Sequence, residues 1–470
     1  MDARPPGSPR SLTREVLDLA APAVLSGFVQ MAYHWVNQAW VGRLPDGTTA
    51  TAALSVASYT VWAFHALTML LGVGLTALVG RYAGGGRQAV ARWVAAQGLR
   101  WSIVLSAVAG VVGILLAPWV FSVAHVSEAA AADGTGYVRL FYLFGFSTFL
   151  QVACDAVWRG HGTTRVPLVT SALGLALNAA LDPILIFGWG PVPAMGVEGA
   201  AVATAIAATC AAALSLAWLR SRGLLSSVRP PDEEVRLSRA TPLAPGPVPA
   251  LDASVLLRLV RVGLPVALSG LFFVAVYLGL ARIVARAGGD AAQAGLGVGI
   301  RGEQVAYFLT QGFAMAAGAL VARRLGAGAP DAAERAAWRA TALASVGCLV
   351  WSVLILAVPE VLARLFLPGA ADAAARAHAV EYYRLVALCL VPQCWEGVLD
   401  GAFGGAGLTV PPMIVSMTLT GARIPLAHWA AFDLGHGVTG IWVVIVVTAA
   451  LRGIVTAVWF ARGTWKRRPV

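Results

Sequence analysis

Apolar residues run along this chain in long, unbroken stretches, and polar positions gather in the gaps between them. Twelve such runs lie at roughly 17–41, 51–80, 99–123, 135–159, 166–188, 195–219, 260–286, 294–324, 338–366, 378–403, 411–433 and 436–462. Each is long enough to cross a bilayer as a helix. The runs are continuous and do not alternate, which disfavours a membrane β-barrel. The pattern predicts an all-α polytopic membrane protein.

The one long polar connection, 220–259, contains "RPPDEEVRLSRATPLAPGPVPALD", whose prolines and charges cannot form a packed core. It divides the chain into 1–16 (N-terminal segment), 17–219 (spans 1–6), 220–259 (linker), 260–462 (spans 7–12) and 463–470 (tail). The two blocks of six resemble each other. "LVGRYAGGGRQAVARW" at 78–93 matches "LVARRLGAGAPDAAERAAW" at 320–338, and "GHGTTRVP" at 160–167 matches "GAGLTVPP" at 405–412. Six spans return the chain to the same side, so the repeat is parallel. Two six-helix lobes related this way suit a secondary transporter with its substrate site near the midplane. Gly72, Gly74 and Gly80 read first as close-packing positions between helices.

Composition agrees. The chain of 470 residues is 58% hydrophobic and 12% charged, with mean hydropathy +0.74, whereas a soluble domain carries roughly 25% charge. Arginine sets the orientation. Seventeen arginines flank the even-numbered connections and seven the odd, among them Arg43, Arg282 and Arg286. The even side is therefore expected to be cytoplasmic, with both termini, in the inner (plasma) membrane. This bias accounts for most of the net charge of +11 and leaves no basic soluble domain for nucleic acid. The five cysteines lie within predicted spans without metal-ligand spacing. The polar start "MDARPPGSP" does not read as a signal peptide.

Candidate chemistry sits inside the spans. In "LNAALDPILIFG" (177–188), Asn178 and Asp182 are four apart and share a helix face. A charge at the bilayer centre costs at least about 2.5–3.5 kcal/mol, so that face must meet protein or water. Pro183 lacks an N–H and frees the carbonyl of Ala179. Span 6 follows with small residues at Gly199, Ala200, Ala201 and Ala203, and with the hydroxyl of Thr204. Asp182, Asn178 and Thr204 together make an oxygen-rich pocket suited to a proton or a small hard cation. The competing reading is that Asp182 only stabilises a bent helix.

"LNAALDPILIFG…GVEGAAVATAIA" resembles the span 5–6 signature of the multidrug and toxic compound extrusion (MATE) transporters. "GLGVGIRGE" (295–303), "GFAMAAGALVARRLGAG" (312–328) and "VGR" (41–43) are similar to further patterns of that family. The resemblance covers about 15–460. It implies a MATE fold of twelve helices in two lobes arranged as a V. It implies export of organic, often cationic, compounds in exchange for H⁺ or Na⁺, and it places the family's ion-site residues on Asn178, Asp182 and Thr204. One departure matters: Asn37 stands where many members carry an aspartate, and Asn cannot titrate. Either Asp182 carries the proton alone or coupling differs, with Asn37 donating to Asp182.

The second half holds Arg301 and Glu303 in span 8, Glu396 and Asp400 in span 10, and Arg423 in span 11. The glycine turns give a local repeat offset of 245, which matches Asp400 to Asp155 and Arg423 to Asn178. A membrane arginine needs an acid, so Arg423 is expected to pair with Glu396 or Asp400, as a structural lock or a gate. Trp35, Tyr59 and Trp62 in the first half, with Phe272, Phe273, Tyr277 and Tyr307 in the second, are candidates for an aromatic substrate cavity. Glu303 and Glu396 are its candidate acids. Interface belts explain the aromatics equally well, and His34 reads first as hydrogen-bonded structure.

The function expected is an ion-coupled efflux antiporter; the alternative is a lipid-linked precursor flippase of the same broad fold. An intramembrane enzyme is disfavoured, since no His-Glu-x-x-His and no nucleophile elbow occurs. No cofactor is expected beyond the coupling ion, H⁺ or Na⁺ at Asp182. The partners expected are small organic substrates and the lipid bilayer, with no nucleic acid and no second subunit.

Overall fold

The structure is a computed structural model describing residues 9–41, 43–44, 47–124, 128–228, 230, 251–367, 369 and 373–467. Within these, side chains are described except at 9–11, 34–35, 38–39, 47–52, 55–56, 59, 123–124, 129–130 and 467. Helices α1 to α7 cover Pro9–Val41, Gly47–Gly84, Gln88–Ala124, Glu128–Leu143, Gly145–Gly160, Arg165–Phe187 and Gly196–Ser221. Helices α8 to α14 cover Ala253–Gly326, Pro330–Ala357, Pro359–Phe366, Ala373–Val386, Leu390–Ala406, Val410–Gly421 and Arg423–His428. A π turn, Trp429–Asp433, leads towards α15, Gly437–Ala461.

Eight described helices are long and apolar enough to cross a membrane, and two bent pairs add a span each. α8, at 74 residues, breaks at Gly289, where φ is 62° and ψ −157°. Only glycine takes up that conformation cheaply, and the break makes α8 two spans. α13, α14 and the π turn make the last. The twelve spans fall six on either side of the polar connection, as the apolar runs predict.

The repeat is visible in backbone geometry. The fourth span of each half is bent, by 47° at α4–α5 and by 65° at α11–α12. The matched glycine turns carry matched positive φ: 76° at Gly86 and 71° at Gly328, then 80° at Gly162 and 75° at Gly407. Two boundaries differ from the sequence expectation. The 338–366 run begins earlier, at Pro330, and is cut at Val358, because Pro359 has no N–H to continue the helix. α8 begins at Ala253, inside the segment read as linker, because Asp252 caps it: its side chain accepts from Ser254 N at 2.8 Å. Gln97 and Trp101 of α3 hold the same residue by its backbone N–H and C=O.

The chain forms two compact units. The first-half unit is Leu25–Ala267 with Ala322–Gly328; the second-half unit is Leu268–Val321 and Ala329–Arg468 with the described part of Met1–Val24. In the first, Phe64 packs edge-on against Phe141, Tyr142 and Phe149. Gly72 and Gly74 lie against Val152 and the backbone of Leu259, and Gly80 lies against Ala322, so all three are close-packing positions. In the second, Gly318 of α8 meets Gly401 and Gly405 of α12 backbone to backbone. A side chain at Gly405 would drive into the Gly318 carbonyl. Gly405→Leu is expected to destabilise the protein by about 1–3 kcal/mol or more, read as a lower unfolding midpoint in detergent. Gly297→Ala, at a position open to space, should leave the midpoint unchanged.

Candidate functional site

In the first-half unit, α6 and α7 pack closely because Gly199 sits on the Leu185 carbonyl and Gly174 on Ala207 and Ala211. That approach closes the face carrying Asn178 and Asp182, both fully buried. Asn178 Nδ2 donates to Asp182 Oδ1 at 3.1 Å. Asn37, on α1 and also buried, donates from Nδ2 to Thr204 Oγ1 at 3.2 Å. The expected bond from Asn37 to Asp182 is thus replaced by one to Thr204, since the half-buried hydroxyl on α7 faces α1. Tyr33 hydrogen-bonds Thr204 and lies within electrostatic range of Asp182, so the two pairs are neighbours; Tyr137 of α4 lies within that range too.

The pocket is oxygen-rich. Asn37 Oδ1, Asn178 Oδ1 and Asp182 Oδ2 are all buried without a hydrogen-bond partner among the described residues. An unpartnered buried acceptor costs about 1–3 kcal/mol. Three unpartnered oxygens in neighbouring pairs, one of them a carboxylate, suit a proton or a hard cation, which takes oxygen ligands. Tyr137 escaped the sequence reading, since nothing in the sequence marks which loop-proximal aromatic faces a buried acid.

The second-half unit satisfies its buried charges differently. Glu396 Oε2 meets Arg452 of α15 at 3.1 Å, and Arg452 also donates to Thr420 Oγ1 at 2.8 Å. Arg423 donates to Thr448 Oγ1 at 2.8 Å and to Tyr277 OH at 3.1 Å. The expected ion pair of Arg423 with Asp400 is therefore not formed: α15 supplies its own arginine to Glu396 and a hydroxyl to Arg423. Asp400 Oδ1 is left buried and unpartnered. Glu303 is held by Tyr382 OH at 2.8 Å and Gln393 Nε2 at 2.7 Å. Arg452 carried a readable signal, as a mid-span arginine in "TAALRGIVTAV".

Of the aromatic candidates, Tyr277 is committed to Arg423 and packs at a tilt against Phe273, with ring centroids 4.4 Å apart. Tyr307 is exposed and accepts from Gln311 Nε2. Trp62 is exposed. The side chains of Trp35, Tyr59 and His34 lie outside the described residues. Asp155, by contrast, takes a hydrogen bond from Gln151 at 2.9 Å.

The chain matches the MatE family model twice, over residues 22–184 and 265–429. It is 25% identical to the probable multidrug resistance protein NorM of Thermotoga maritima, over 98% of this chain and 94% of that one. It is 27% identical to the protein of the same description from Deinococcus radiodurans, over 94% and 93%. A solved multidrug resistance MATE family transporter of the MOP superfamily, in an outward-facing conformation, superposes with a TM-score of 0.86 at 22% identity, over 97% of both chains. A MOP superfamily transporter from Pyrococcus furiosus gives the same TM-score, identity and coverage.

Removing one partner of a buried ion pair leaves an uncompensated charge. Glu396→Met is expected to cost about 3–5 kcal/mol by thermal unfolding in detergent. Glu396→Met with Arg452→Met should recover much of that loss, and an unchanged midpoint in the single variant would show the pair to be energetically idle.

Proposed function

The chain belongs to the MatE family, a multi-pass membrane family of multidrug efflux transporters, and from that premise we propose that it is an ion-coupled antiporter. It exports organic, often cationic, compounds in exchange for H⁺ or Na⁺ from the inner membrane, with both termini cytoplasmic. The observation that carries this reading is the set of three buried, unpartnered oxygens on Asn37, Asn178 and Asp182. Asp182 is the coupling acid, Asn178 orients it through its amide N–H, and Asn37 and Thr204 complete the oxygen lining. The ion and the organic substrate favour different states of the transporter, and exchange follows from that difference in affinity. A polyanionic lipid precursor is less well served: the mid-span arginines Arg423 and Arg452 are already bound to Thr448, Tyr277, Thr420 and Glu396.

The test is export of a fluorescent organic cation from proteoliposomes, driven in turn by a proton gradient and a sodium gradient. Asp182→Asn is expected to lower gradient-driven export at least about tenfold, the size set by losing a buried charged partner, while cation binding without a gradient persists. Unchanged export would reduce Asp182 to a structural group. The gradient that drives the wild type names the ion.

A further inference from the structure

Two arginines run against the charge bias of the loops. Arg282 and Arg286 lie one turn apart at the end of the first limb of α8, just before the Gly289 break, on the side where arginine is scarce. Both are exposed, and neither has a hydrogen-bond or ion-pair partner among the described residues. Unpaired positive charge at a span end is available to an anion.

The two arginines line a cavity of about 560 Å³ within the second-half unit. Its opposite wall is α14 and the π turn, which contribute Ile424 and Trp429. The helices meet at its floor because Gly279 carries no side chain where Ile424 presses in. The π turn widens the backbone by one residue and swings its side chains towards the cavity, a device common at ligand sites. Asp433 also lines it, with its carboxylate 3.6 Å from His428 Nδ1. No carboxylate among the described residues, Asp433 included, forms an ion pair with either arginine.

We propose that this cavity binds the phosphate ester of an anionic phospholipid. Guanidinium forks match phosphate oxygens bidentately, and a volume of this order suits a small ligand. A free phosphate ion would satisfy the arginines alone; the cavity offers more. Ile424 and Trp429 are apolar and exposed, and Leu278, Leu426 and Phe432 nearby in the chain are 42%, 40% and 42% exposed. An acyl chain covers such surface and a free ion does not. Trp429 sits near a span end, the level at which tryptophan prefers headgroups. The arginines, placed on their own stems, reach the same level.

Native mass spectrometry of the full chain in detergent tests this with dioleoyl phosphatidylglycerol, dioleoyl phosphatidylcholine and inorganic phosphate. The wild type is expected to retain phosphatidylglycerol about thirtyfold more than phosphatidylcholine, as two arginines near a headgroup should give. R282Q/R286Q is expected to abolish that preference, and R282K/R286K, which keeps the charge but loses the bidentate fork, to keep only part of it, with all three proteins unfolding at the same temperature. Equal retention of the two lipids by the wild type, or an undiminished preference in the glutamine variant, overturns the proposal. Displacement of phosphatidylglycerol by an equal concentration of inorganic phosphate overturns the lipid as the source of the ester. The readout needs no transport activity, so it stands or falls apart from Asp182 coupling.

Discussion

A polar atom held away from water must be partnered, and this constraint shapes the whole chain. Backbone groups meet it by forming helices, and the few breaks in helix are themselves covered. At the α11–α12 bend, Ala387 and Cys389 donate back to Tyr383 and Val386. Side chains meet it pairwise in the second half, where Glu303, Glu396, Arg423 and Arg452 each have close, directed partners. The first-half pocket meets it only in part, with three oxygens unpartnered. Other buried atoms lack a partner too, Asp400 Oδ1 among them, but here two amide oxygens and a carboxylate oxygen do so together, and a mobile ion has something to gain there.

Close approach of helices is what makes that pairing possible. Gly199 lets α7 settle on α6 at Leu185, and this brings Thr204 to the level where Asn37 reaches it. Gly401 and Gly405 bring α12 onto α8 in the other unit, which fixes the helix that carries Glu396 and Asp400. The glycines have a structural task, and the polar groups depend on it.

Much of this was legible in the sequence because its signals are long or rigid. Apolar runs report spans by length alone, and the turns at 160 and 405 report the repeat because glycine at positive φ has few substitutes. The two family matches end at 184 and 429, the same offset of 245. Asn178 and Asp182 were readable because four residues is one helical turn. Pairings between distant helices were not. Whether Asn37 reaches Asp182 or Thr204, and whether Arg423 or Arg452 meets Glu396, depends on helix rotation, which apolar runs of this kind scarcely encode. The cap at Asp252 was readable in "LDASVL" but was masked by the polar linker before it.

The repeat also shows how one scaffold takes on two electrostatic characters. At the offset of 245, Gln151 corresponds to Glu396 and Asp155 to Asp400. In the first half the amide N–H of Gln151 donates to Asp155 one turn along. In the second, a carboxylate at the same place has no proton to offer, and Asp400 loses that donor. Two adjacent acids then need a cation, and Arg452 supplies it to Glu396 from α15; its counterpart by offset is Ala207, which brings no charge. Arg423 stands where the first half has Asn178, and Ala427 where it has Asp182. The second half therefore cannot form the amide–carboxylate pocket of the first, and its Glu396 is paired within the helix bundle. Divergence at four or five positions is enough to confine the oxygen-rich pocket to one half of a symmetric fold.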